Sequence, residues 1–114
     1  DFNLFHTVAA VKIANGVPFG FGNTASGLQL DSGIDRMNFR ELKAGTRLGR
    51  LKNLPDMPVS AIAEDGRDVT RDYFRVDDST LLLTRDAMPS TLTLYERIIL
   101  QDCLCYLMER YKLP

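Results

Sequence analysis

From Phe5 to Ile13 the chain alternates in twos, with Phe5, Thr7, Ala9, Val11 and Ile13 sharing one parity and His6 and Lys12 the other. Successive side chains of a strand point to opposite faces, so this spacing predicts a strand with one face toward a core. Ala14-Asn15-Gly16 carries a hairpin signal, because glycine accepts the positive φ of a tight turn. Val17-Pro18-Phe19-Gly20-Phe21 is the expected returning strand, and Pro18, having no N–H, confines it to an edge or a strand start. The small polar stretch Asn23 to Gly27 predicts a loop; Leu28 and Leu30, with Gly33-Ile34 beyond, predict a further short strand. Asp35 and Asn38 are capable N-caps. Phe39, Leu42 and Thr46 follow at helical spacing, so a helix limited by Gly45 and Gly49 is expected. Leu51, Leu54, Pro55 and Pro58 mark an irregular connection.

The apolar run at Val59 to Ala63 stops at Glu64-Asp65-Gly66, a turn signal, and the chain returns through Val69 toward Tyr73 and Phe74. Asp77-Asp78-Ser79 predicts a turn before a strand from Thr80 to Arg85, which Pro89 and Ser90 bring to an end. Thr93 and Glu96 have capping-box spacing, predicting a C-terminal helix over residues 90–111 that ends near Tyr111. Leu94, Ile98, Cys105 and Met108 form one stripe, but Tyr95, Ile99, Leu100, Leu104 and Leu107 widen it beyond a surface helix's face. Such a helix is either packed deeply or covered by another chain. Strands, helix, strands and helix in that order suit a small α+β roll, and 114 residues make one domain, 1–114.

Charge adds a pattern that composition hides. The chain is 45% apolar with a formal net charge of −1, giving no overall bias toward nucleic acid or membrane. Yet Arg36 to Lys52 holds six cations against Glu41 alone, whereas Asp56 to Asp86 holds eight anions against four arginines. On the expected helix, Arg36, Arg40, Lys43 and Arg47 fall at spacings of four, three and four, which gathers them on one face. Glu64, Asp65, Asp68 and Asp72 crowd the turn. Patches of opposite sign on one small domain favour head-to-tail docking with a copy of itself or a related domain.

Residues 17–86 resemble the CIDE-N (CAD) domain of the caspase-activated DNase, its inhibitor and the lipid-droplet CIDE proteins. The resemblance is carried by Glu64-Asp65-Gly66-Arg67-Asp68-Val69, by Tyr73-Phe74 and by Thr80-Leu81-Leu82-Leu83. Upstream, Asn38-Phe39-Arg40-Glu41-Leu42-Lys43 looks like the family's helix, and Val17-Pro18-Phe19 like its opening strand. Arg67 departs from the family's threonine, and Gly45 shortens the helix. The resemblance implies a ubiquitin-like β-grasp roll, here with an additional C-terminal helix, and charge-directed homotypic or heterotypic assembly regulating apoptotic DNA fragmentation.

Catalytic and cofactor chemistry find little in the chain. His6 is the only histidine and has no nucleophile or acid that the sequence places beside it. Cys103 and Cys105 lack the second half of a zinc site, and the glycines form no phosphate loop, so no metal or cofactor is expected. Neighbours so close in sequence make a poor disulfide; a reducing intracellular setting, cytoplasmic or nuclear, is expected. No signal-peptide pattern opens the chain, which lacks an initial Met and reads as a trimmed piece; no run is long enough to span a membrane. Nucleic acid ranks below protein as a partner, since the two glycines weaken any recognition helix. The alternative from another class is a small enzyme or ligand-binding domain with its pocket between sheet and C-terminal helix.

Overall fold

Nine strands form two antiparallel-dominated sheets that face each other across one apolar core, in a computed structural model that describes residues 4–22 and 24–111. One sheet contains β1 (Phe5–Ile13), β5 (Val59–Ile62), β8 (Met88–Ser90) and β9 (Cys105–Arg110), in the order β5-β1-β9-β8. The other contains β2 (Phe19–Phe21), β3 (Gly27–Leu30), β4 (Arg47–Lys52), β6 (Phe74–Asp77) and β7 (Thr80–Leu83), in the order β2-β3-β4-β7-β6. Among the described residues, helix is confined to a 3-10 turn at Ile34–Met37, one α turn α1 (Thr70–Tyr73) and the short α2 (Glu96–Gln101).

Alternation builds the core. Ala9, Val11, Val59, Ala61, Cys105 and Leu107 point inward from the first sheet and meet Leu28, Leu30, Leu51, Phe74, Leu81 and Leu83 from the second. In β4, Leu48 and Leu51 are three apart, the wrong parity for one face of a regular strand. The register against β7 shifts between Arg47 and Gly49, and that bulge lets both leucines turn inward.

The α+β β-grasp roll is therefore corrected to an all-β sandwich of two sheets, and the C-terminal helix at 90–111 to β8, α2 and β9 in succession. Asp102 leaves the helical region at φ −122° and ψ −92°, after which Cys105 and Leu107 enter the core while β9 pairs along β1. The wide apolar stripe was the alternation of a strand wrapped onto a helical wheel.

The basic helix is also absent. Its backbone groups are taken by the chain that runs into β8: the Phe39 N–H donates to the Pro89 carbonyl at 2.8 Å. Leu42 and Ala87 exchange N–H···O bonds of 2.8 and 3.0 Å. Phe39 adopts φ +61°, which no helix accommodates. Asn38 is not an N-cap but a clip, its side chain donating to the Leu92 carbonyl and accepting from the Leu92 N–H.

β1 and the turn after Ile62 lie where the sequence predicts, with Gly66 at φ +89° and its N–H donating to the Ala63 carbonyl. The return through Val69 runs into α1 rather than straight into a strand. Gly16 turns the chain at φ +78°, but β2 crosses to the second sheet instead of pairing with β1. Asn23, first residue of the expected loop, lies outside the described residues. β2 and β3 pair in parallel despite their short connection, and the Leu28 N–H reaches the Pro18 carbonyl at 2.8 Å.

That crossing depends on Gly27, whose φ is +96° and where a Cβ would collide with the Pro18 carbonyl. Gly66 has the same backbone hand but open space around it. Gly66→Ala is expected to lower stability by about 1 kcal/mol from backbone strain alone, and Gly27→Ala by about 2–4 kcal/mol from strain plus overlap. Urea denaturation of the two variants checks the difference.

Candidate interaction site

The acidic residues share one end of the first sheet, although not one role. Asp65 is held by the turn: its carboxylate accepts the Arg67 N–H at 3.1 Å and pairs with the Arg67 guanidinium at 2.7 Å. Those contacts, backbone first, hold its carboxyl below the usual value. Asp68 lies two residues before α1, accepting the Thr70 hydroxyl at 2.5 Å and the Thr70 N–H at 2.9 Å, and these two bonds lower its carboxyl as well. Thr70 Oγ1 in turn accepts the Ala61 N–H at 2.8 Å, so the hydroxyl ties the helical turn to β5. Glu64 and Asp72 are exposed and make no ion pair among the described residues. They supply the readable negative charge.

Both line an open groove of about 690 Å³ between the hairpin and the first half of β1. His6, Thr7 and Val8 form one wall; Val69, Tyr73 and Arg85 form its floor. Arg85 pairs with Glu109 at 2.9 Å and lies 5.2 Å from the Tyr73 ring centre, which holds its charge against the sandwich. Burial first, then the neighbouring Glu109 carboxylate, push the Tyr73 hydroxyl up to about 12. A second, more apolar groove of about 500 Å³ shares Thr7, Val8, Ala63 and Glu64 and continues over Ala10, Ile62 and Tyr106.

The cations separate in space. Arg36 lies in the 3-10 turn, Arg40 in the following coil, and Lys43 in a turn where Asp86 stands 3.5 Å away. Arg47 opens β4, 3.7 Å from Asp31. The helical spacing that gathered these four is corrected with the helix. A different basic surface replaces it. Across the outer face of the second sheet, the registers set Arg47, Leu82 and Arg75 in one row and Gln29, Arg50, Thr80 and Asp77 in the next. Arg50, Lys52 and Arg75 are exposed and make no ion pair among the described residues.

Arg75 and Arg50 were missed as site residues because Arg75 sits in the acidic stretch of sequence. Its alternation with Phe74 and Val76 was the available signal. No described ion pair joins the cations of residues 36–52 to the anions of residues 64–72.

Other candidate chemistry finds no constellation. His6 stacks edge-on against Tyr111 with ring centres 5.3 Å apart. Cys103 and Cys105 are buried free thiols, the latter's ionisation strongly raised by burial. Among the described residues no group of three metal-ligating side chains forms, and no helix is long and apolar enough to cross a membrane. The pocket expected between sheet and C-terminal helix is corrected with that helix, and the space between the sheets is about 20 Å³, room for a single water. No protein-family model matches the chain, and neither a curated protein nor a solved structure matches it.

Tyr73 links the groove floor to stability. Its folded value lies above the ordinary 10.0, so its contribution is complete below about pH 10 and is lost as pH rises toward 12. Tyr73→Phe is expected to flatten that alkaline limb. Tyrosinate absorbance should show Tyr73 ionising late among the four tyrosines of the chain, with Tyr106 also raised, chiefly by the neighbouring Cys103.

Proposed function

We propose that this chain is a non-enzymatic interaction module that docks through charge complementarity, the acidic groove of one copy meeting the cationic sheet face of another copy or a related domain. The acidic side is Glu64 and Asp72, with Asp65 and Asp68 shaping the turn that presents them. The basic side is Arg47, Arg50, Lys52 and Arg75. One observation carries the reading: two charged surfaces of opposite sign coexist on an elongated molecule of 46 × 27 × 25 Å without an ion pair between them among the described residues. Surfaces that meet head to tail leave a free surface at each end, so contact propagates unless the rotation closes a ring.

The resemblance implied a ubiquitin-like roll, which the two-sheet sandwich replaces, so the role in DNA fragmentation is not carried into the proposal. The two buried free thiols fit a reducing intracellular setting, cytoplasmic or nuclear, and that setting belongs to the proposal.

The expected behaviour is concentration-dependent growth in light scattering that fades as salt rises, because exposed charges are screened over about 10 Å at 0.1 M salt. Asp72→Asn or Arg50→Gln alone should weaken association about tenfold or more. Mixing the two variants should restore contact at only one junction and stop at a dimer. Growth of either variant equal to that of the parent chain would end the proposal.

A further inference from the structure

The nine-residue β1 is paired unequally on its two sides. β9 runs beside it from Phe5 to Val11, whereas β5 covers only Ala10 to Ile13 before the chain turns away at the acidic hairpin. The first half of β1 therefore has an open edge among the described residues. The ladder phase shows what that edge offers. The Tyr111 N–H donates to the Leu4 carbonyl at 2.7 Å, and Phe5, His6 and Thr7 then pair with Arg110, Glu109 and Met108. Antiparallel pairs alternate between bonded and non-bonded, so Phe5 and Thr7 direct their N–H and carbonyl groups away from β9. Those of Thr7 open onto the groove, which Thr7 lines between His6 and Val8. Its width is kept by the hairpin, and its 690 Å³ falls in the range of ligand clefts.

We propose that the open edge of β1 takes an extended peptide segment as an added strand, with basic residues alternating with apolar ones. The inference rests on the acidic surface of the proposed function and gives it a further ligand, distinct from the sheet face of another copy. Strand addition draws affinity from main-chain bonds and specificity from every second side chain. The two grooves flanking the edge differ in chemistry as such alternation requires. The first groove alone holds Asp72, which with the shared Glu64 selects lysine or arginine; the second alone holds Ala10, Ile62 and Tyr106, whose apolar surface beside the stem of Lys12 selects an aliphatic side chain. Leaving two paired-strand residues unmated also explains why the hairpin carries carboxylates there, since charge at a free edge discourages indiscriminate pairing.

The test is isothermal titration of the chain with a blocked hexapeptide of alternating lysine and valine. Two further versions carry N-methyl groups on the odd or the even amides. An added strand bonds through one set of amides only, so one methylated version should bind like the parent and the other about tenfold or more weaker. Equal affinity of all three overturns strand addition while leaving the charge-docking reading intact. Hexalysine matching the alternating peptide overturns the apolar half of the specificity.

In the protein, Thr7→Pro removes an N–H that faces the open edge and should weaken the peptide similarly with the fold retained by circular dichroism. Glu64→Gln combined with Asp72→Asn should remove most of the salt dependence; undiminished binding and salt dependence would overturn the acidic selection. Peptide binding without self-association would sink only the docking between copies.

Discussion

Val11 has no solvent exposure and stands where both pairings of β1 overlap. It is opposite Ala61 on one side and Cys105 on the other, its carbonyl accepts the Leu104 N–H at 2.7 Å, and it lines the small space between the sheets together with Leu48, Phe74 and Leu81. Burying a strand on both edges and one face at this point is what closes the sandwich. The hydrophobic gain there scales with area removed from water and is shared by all three strands. The hairpin, β9 and the second sheet are placed by their attachment to this residue's neighbourhood.

The price of that closure is an uneven β1. β5 is four residues long and β1 is nine, so the chain leaves the sheet while β1 still has ladder groups to offer. The hairpin that departs is kept in register by Thr70, whose hydroxyl accepts the Ala61 N–H while donating to Asp68. An acidic turn thus comes to stand beside an unpaired strand edge through ordinary backbone accounting. Function is read from that geometry rather than from fold type, which many unrelated activities share.

Electrostatics follows the same logic. Sequence proximity grouped Arg75 with the acidic run, but strand alternation turns it to the outer face beside Arg47 and Arg50. Arg85, also from that run, is drawn to Glu109 and Tyr73, and Arg110 grips Glu41 through bonds of 2.8 to 3.0 Å from residues far apart in the chain. Charge counted along a segment says little about where it is displayed, because half of a strand's side chains go each way.

What could be read without coordinates was local. Period-two spacing placed β1, apolar runs placed the strands at Val59 and Thr80, and Gly66 and Asp78-Ser79 announced their turns, because these signals depend on a residue and its immediate neighbours. Asn38 to Leu42 and the stretch after Gln101 went the other way. Their helical spacing was real, but the N–H and carbonyl groups of Phe39 and Leu42 found partners at Pro89 and Ala87, and β9 found β1. Such partners lie dozens of residues away, so no window of sequence contains them. The chain by itself determined which segments alternate and where they turn; only the packed tertiary structure decided which strands pair, which charges meet, and which edge of β1 stays open.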